Sequence, residues 1–290
     1  MCELFAMSSR VPATLGLSLG RLARHSSGSE ATHRDGWGLA CYEERDCLLL
    51  REPRPACESL LLRFVDVQGV RTCMAVSHLR QATFGARSLQ NTQPFVRELG
   101  GRSHVFAHNG DFPQLLEQPA PSNTRFRPIG DSDSERAFCM LMERLAPLWE
   151  GRDEPPPLEQ RLAVIADFCR EMRKLGPANF IYADADALFI HAHRRTQPDG
   201  AIRPPGLYLL QRSCWESAPE LKDAGVRLQT VRQDVALIAS VPLTDELWEP
   251  LGEGDLIALR AGRCYDIEGR WSTPEDVSSR APSQPRPALG

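Results

Sequence analysis

Along the first part of the chain, apolar residues come in short runs separated by polar turns, which is the spacing of strands. Residues 2–8 read as one strand, and residues 36–43 and 47–52 as a strand pair across the polar turn Glu44-Arg45-Asp46. Residues 72–78 and 103–108 are apolar on both alternating faces, as buried strands are. Residues 15–24 and 57–67 fit short helices. The period then lengthens. Ala137, Leu141, Met142 and Leu145 fall on one helical face of residues 133–146, and Leu162, Ile165, Cys169 and Met172 on one face of 158–174. A charged, proline-rich connection, Gly151 to Pro157, separates these two helices. Strands return afterwards. Residues 179–183 and 188–193 flank Asp184-Ala185-Asp186 as a hairpin, and 206–212, 235–241 and 255–260 add three more. Strands, then helices, then strands suits mixed or antiparallel sheets with helices grouped outside. Residues 276–290, rich in Pro, Ser and Arg, read as a disordered tail, which leaves one domain over 2–275.

Composition narrows the function classes. With 290 residues, 42% hydrophobic and 25% charged, the chain can bury a large core. A net charge of -4 and scattered arginines supply no basic field for nucleic acid. No apolar run approaches about 18 residues, and the first residues lack the basic-then-apolar layout of a secretory signal. The expectation is a cytoplasmic protein that engages neither membrane nor nucleic acid. The nine cysteines are irregularly spaced without a CxxC pair, so a zinc framework is not expected and most read as packing thiols. His191 and His193 lie two apart on a strand without a third ligand in view, and read as a solvated strand face rather than a metal site. Trp215 and Trp248 read as core or loop anchors. Neither metal nor organic cofactor is expected.

Four polar stretches sit where strands stop, where chemistry is held rigidly beside free loops. Cys2 heads the first strand. It is either a small core residue or, once Met1 is removed, a thiol with a free amine on the adjacent carbon. An α-amine of pKa about 8 can accept the proton of a thiol of pKa about 8.5, which activates the nucleophile. Arg80 follows a fully apolar strand, either as an exposed strand-end charge or as a bidentate partner for a carboxylate. Asn109-Gly110 is the sequence of a tight hairpin turn, but an Asn amide followed by a Gly N–H can also hold an oxyanion. Gly130-Asp131-Ser132-Asp133-Ser134-Glu135 caps the coming helix, and Asp133 can also pair with an ammonium group. Thiol, amine, oxyanion donors, carboxylate clamp and ammonium partner together describe a substrate with an amide at one end and a zwitterionic amino acid at the other. Glutamine fits, as does any γ-glutamyl amide.

With its Met-Cys-Glu-Leu start, Asp35-Gly36-Trp37-Gly38, His78 to Ala82, His108-Asn109-Gly110 and Ile238 to Thr244, the sequence resembles a class II glutamine amidotransferase. That family belongs to the N-terminal-nucleophile hydrolases, and the likeness is to its stand-alone bacterial branch. It runs from Cys2 to about Asp276. The resemblance implies an α+β fold, a four-layer αββα sandwich of two mainly antiparallel sheets. It makes Cys2 the nucleophile and assigns the oxyanion hole to Asn109 and Gly110. It assigns the substrate α-carboxylate to Arg80 and the α-amine to Asp133. Gln81 joins the substrate-binding positions, where synthase-fused members commonly carry Trp on a closing loop. Phe84 stands where some members have His, and Asp131 is a second acid two residues from Asp133. The chain leaves no room for a synthase domain after the amidotransferase domain. The expected partners are therefore a small-molecule substrate and an ammonia-accepting protein. The alternatives are a stand-alone hydrolase of another γ-glutamyl amide, of the thiol-metabolite type, and a non-catalytic γ-glutamyl-binding protein that keeps Met1.

Overall fold

The computed structural model describes residues 2–15, 35–81, 86–117, 119, 123–214, 226–227, 233–267 and 269–272. In chain order the elements begin with β1 (Glu3–Leu15), β2 (Trp37–Glu43), β3 (Asp46–Glu52), α1 (Leu60–Gln68) and β4 (Val70–Leu79). β5 (Phe95–Leu99), β6 (Arg102–Gly110), α2 (Asp133–Trp149) and α3 (Leu158–Leu175) follow. Next come β7 (Ala178–Ala183), β8 (Leu188–His191), β9 (Arg195–Thr196), β10 (Ile202–Arg203) and β11 (Tyr208–Cys214). The last are β12 (Val226–Arg227), β13 (Gln233–Ala239), β14 (Glu249–Pro250), β15 (Leu256–Arg260), β16 (Arg263–Tyr265) and β17 (Trp271–Ser272).

Two large sheets and a two-stranded ribbon, β9-β10, form among the described residues, and every strand pairing among them is antiparallel. The first runs β14-β11-β13-β1-β4-β2-β3, with β12 beside β1; the second runs β17-β16-β15-β8-β7-β6-β5. Three cores separate four layers. Leu4, Ala6, Val76, Val105, Ile181 and Ile238 fill the space between the sheets. The outer face of the first sheet carries Phe5, Met7, Leu39 and Leu237 under Leu62 and Val65 of α1. The outer face of the second carries Phe106, Phe180, Tyr182 and Phe189 under α2 and α3. The fold is thus the αββα sandwich. Alternation decides it: in β1, Leu4 and Ala6 point inward while Phe5 and Met7 point out, so both faces need cover.

The helices start where capping chemistry allows. Ser132 accepts the Glu135 N–H at 3.2 Å to cap α2, and Ser59 caps α1 by accepting from Leu62 at 2.9 Å. Several sequence readings need adjustment. The helix expected at 57–67 begins at Leu60 after a short 3-10 turn. Of the helix expected at 15–24, Leu15 ends β1 and the rest lies outside the described residues, as do the 276–290 tail, Phe84 and Trp215. Trp248 is buried at the edge of the first sheet's core. Strand β5 went unread because Arg97 and Glu98 interrupt its apolar pattern. His191 and His193 do not form a solvated face: both are buried. His191 lies against Phe180, its Nδ1 is 2.9 Å from the Asp255 carbonyl, and burial pushes its pKa down to about 3.

At the end of the sandwich away from Cys2, Arg161 of α3 reaches Asp184 at 2.6 Å and Asp186 at 2.7 Å. Arg161 and Asp184 are buried. Replacing Arg161 with Met strands the Asp184 carboxylate in the core, and removing one partner of a buried pair costs about 3–5 kcal/mol. The expected result is a urea midpoint lowered to match, with the slope of the transition unchanged.

Candidate active site

Strand register brings the sequence motifs to one mouth of the sandwich. Glu3 pairs with Leu79, and Leu79 with Trp37, so the start of β1, the end of β4 and the start of β2 lie side by side. Beyond Leu79 the ladder continues: Arg80 N–H donates to the Gly36 carbonyl at 2.8 Å, and Asp35 N–H donates to the Arg80 carbonyl at 3.3 Å. In the facing sheet, Asn109 and Gly110 pair with Asn179 and Ala178. They are therefore the last residues of a strand, and the hairpin-turn reading of Asn-Gly gives way.

Cys2 stands in this mouth, partly exposed. Its Sγ receives the Gln81 N–H at 3.3 Å and lies 3.2 Å from the Gln81 carbonyl. Its own carbonyl accepts from the Asn109 side-chain amide at 2.7 Å. Burial pushes the thiol up to about 11; the Gln81 N–H, the positive chain terminus and Arg80 pull it down, and Glu3 adds to the rise. Such a thiol is almost fully protonated near neutrality and needs a base beside it.

Glu3 anchors the strand behind Cys2. It is buried and holds Arg195 at 3.0 Å, while Arg195 also donates to the Ser240 carbonyl. Burial raises the Glu3 carboxyl, and Arg195 opposes that rise. Ser240 Oγ accepts the Leu4 N–H at 2.9 Å, and the Ser240 N–H donates to the Leu4 carbonyl at 3.0 Å. Residues 192 and 236 positions away in the chain thus fix the start of β1, which no local pattern foretells.

Asn109 and Gly110 are equally constrained. A Cβ on Gly110 would come within 1.8 Å of the Pro177 carbonyl oxygen, so this position admits only glycine. The buried Asn179 amide donates to the Asn109 carbonyl at 3.1 Å and to the Arg194 carbonyl at 2.8 Å, and its oxygen accepts the His193 N–H at 2.7 Å. Arg80 is buried rather than an exposed strand-end charge, with Nη1 3.4 Å from the Asp35 carbonyl and 3.3 Å from that of Ala86.

Asp133 opens α2, with one carboxylate oxygen accepting the Phe112 N–H at 2.5 Å and the other the Ser134 N–H at 2.7 Å. It is tied to the β6 end through Ser134, whose hydroxyl lies 2.9 Å from His108 Nδ1. His108 stacks on Phe112 at 4.3 Å; burial lowers its pKa, and Asp133 opposes the shift. Asp131 is linked instead to Asn91 through its backbone N–H at 3.1 Å. Sequence reasoning missed Glu3, Arg195, Asn179, Asn91 and Gln93. Only Glu3 carried a signal, a charge inside an apolar strand.

The sequence profile of the family described as glutamine amidotransferases class-II matches residues 1–284. The chain belongs to the class II glutamine amidotransferases. It is similar to the "Putative glutamine amidotransferase YafJ" of Escherichia coli (strain K12), 33% identical over 261 residues, which are 88% of this chain and 96% of that protein. It is also similar to a crystal structure titled as a predicted glutamine amidotransferase from Pseudomonas aeruginosa PA01. Here the identity is 33% and the TM-score 0.65, covering 91% of this chain and 99% of the other. Glutamine phosphoribosylpyrophosphate amidotransferase from B. subtilis shares the fold, with a TM-score of 0.55 at 14% identity, over 93% of this chain and 50% of that one. This class II member thus shares with it an α+β sandwich of antiparallel sheets between helical layers. No helix among the described residues is long and apolar enough to cross a membrane.

The thiol environment gives a direct check. In protein retaining Met1, alkylation of Cys2 by iodoacetamide, followed by peptide mass, should rise about tenfold per pH unit from 7 to 10. The raised pKa sets that sign: the thiolate fraction keeps growing where an ordinary thiol has levelled off above about 8.5. Levelling near pH 8.5 at Cys2 would show that the thiol is not desolvated.

Proposed function

We propose that the protein releases ammonia from the side-chain amide of glutamine through a thioester on Cys2. The observation that carries this reading is the meeting of Cys2 and Asn109 across the two sheets, at 2.7 Å, beside a thiol whose burial holds it protonated. Removal of Met1 frees the α-amine of Cys2, on the carbon next to the one that bears the thiol. Near neutral pH that amine is partly unprotonated and takes the thiol proton, directly or through one water. The thiolate then attacks the γ-carboxamide carbon. The Asn109 amide and the Gly110 N–H receive the developing oxyanion. The Cys2 ammonium returns the proton to the leaving nitrogen, the C–N bond breaks, and ammonia departs. Water adds to the thioester carbon, the C–S bond breaks, and glutamate leaves with the thiol restored.

Arg80 and Asp133 hold the two ends of the amino-acid zwitterion in this reading. Their support is placement: Arg80 directly follows the strand beside Cys2, and Asp133 is tied through Ser134 to His108, next to Asn109. Gln81 meets the thiol through its backbone, and its side chain borders the substrate. The acceptor of the ammonia is a separate protein in this proposal, and the cytoplasm is its setting. No metal and no organic cofactor takes part in any step.

The test is glutamate release from L-glutamine, with the N-terminal mass recorded on the same sample. Protein lacking Met1 should be active, and Cys2→Ala should abolish release. Asn109→Ala should lower kcat by about 10²–10³-fold, the loss expected for one oxyanion donor. Glutamate release that survives Cys2→Ala would overturn the mechanism. No release by wild-type protein with a free Cys2, but release from another γ-glutamyl amide, would move the assignment to that substrate class.

A further inference from the structure

Between Arg80 and β6 the chain runs through a buried polar segment, Asn91-Thr92-Gln93, that the mechanism above does not use. Phe95 pairs with Phe106, so by the same register Gln93 falls opposite His108. Pro94 has no N–H and cannot carry the β5–β6 ladder onward. The Gln93 side chain takes over that task. Its oxygen accepts the His108 N–H at 2.6 Å, and its Nε2 donates to the His108 carbonyl at 3.2 Å. A primary amide carries the same donor and acceptor as a peptide group, so it completes the ladder one residue before Asn109.

The same segment reaches the other substrate-facing groups. Asn91 Nδ2 donates at 3.1 Å to the Ala86 carbonyl, which also receives Arg80 Nη1 at 3.3 Å. Asn91 Oδ1 accepts the Asp131 N–H at 3.1 Å, two residues before Asp133. The Thr92 carbonyl accepts from Arg51 of β3 at 2.8 Å. On β2, a Cβ on Gly38 would fall 2.2 Å from the Gln93 carbonyl, so Gly38 lets the segment lie directly on the first sheet. Asn91 and Gly130 are packed as closely: a Cβ on Gly130 would lie 2.3 Å from Asn91 Oδ1. The segment thus touches both sheets, the loop before α2 and the carbonyl that Arg80 uses.

We propose that Asn91 and Gln93 are positioning residues, with Gln93 setting the oxyanion-hole strand and Asn91 joining the carboxylate clamp to the ammonium-binding loop. This rests on the roles given above to Arg80, Asn109, Gly110 and Asp133. The two residues then have separable effects. Gln93 acts on a group that works only when charge develops on the oxygen. Asn91 acts on groups that hold the substrate throughout.

The experiment compares Gln93→Leu, Gln93→Glu and Asn91→Asp with wild type in glutamate release from L-glutamine. Gln93→Leu keeps the bulk and loses both hydrogen bonds; its kcat should fall by about 10²-fold with KM within about threefold, since displacement of a reacting group by about 1 Å costs that much. Gln93→Glu still accepts from His108 and should recover part of the loss. Asn91→Asp cannot donate to the Ala86 carbonyl; its KM should rise about tenfold with kcat nearly kept. A second reading does not depend on turnover. Hydrogen exchange in Gln93→Leu should quicken in residues 104–112 and stay unchanged in 158–175. Local exchange like wild type, or kcat and KM changing alike in all three variants, would overturn the positioning roles. Wild-type protein that releases no glutamate overturns the functional reading instead, and the exchange result then decides the role of Gln93 alone.

Discussion

The hydrogen bond from the Asn109 amide to the Cys2 carbonyl, 2.7 Å long, joins the two sheets at the mouth of the sandwich. The rest of the site is arranged around it. Cys2 precedes a central strand of one sheet, flanked by β4 and β13, and Asn109 ends a strand of the other. Each is held by its own ladder, so the distance between them is set by the packing of the sheets. The core between the sheets is aliphatic and almost wholly buried, with Leu4, Val76, Val105, Ile181 and Ile238 in contact. Close packing of this kind gives little under strain, and it passes that rigidity to the site.

Around that contact the backbone does much of the positioning. The Gln81 N–H faces the sulfur, Gly36 and Asp35 hold the Arg80 backbone, and Asn179 holds the Asn109 carbonyl. Side chains that look like mere packing serve as peptide substitutes: Gln93 for a missing rung of the β5–β6 ladder, Ser240 for the edge of β1. Buried polar groups of this sort are costly unless they are satisfied. Their satisfaction fixes one arrangement of the mouth, since any slip leaves several groups unpaired together.

The family relationship and this geometry bear on different questions. The profile match and the similarity to the Escherichia coli and Pseudomonas aeruginosa proteins establish membership of the class II glutamine amidotransferases. Placement of Cys2, Arg80, Asn109, Gly110 and Asp133 at one end of the sandwich is a property of the fold. A thiol held protonated by burial links the two in the proposed reaction, in which the Cys2 α-amine, on the neighbouring carbon, serves as the base.

Much of this protein was readable from local pattern. Period-two runs located β1, β2, β3, β4, β6 and the later hairpin, and the shift to a 3.6-residue period located α2 and α3. The residue types at strand ends marked Cys2, Arg80, Asn109, Gly110 and Asp133 as candidates, because thiol, guanidinium, amide and carboxylate are chemically distinct in any order. Pattern failed where it depends on partners distant in the chain. It took His191 and His193 for a wet face, although the helices α2 and α3 cover that side of the sheet. It left Asn109-Gly110 open to a turn, and only pairing with Asn179 and Ala178 makes it a strand end. It passed over Glu3, Asn91, Gln93, Asn179 and Arg195. A buried polar side chain has its meaning from the group it faces, and strand register, packing of the sheets and burial alone decide what that group is.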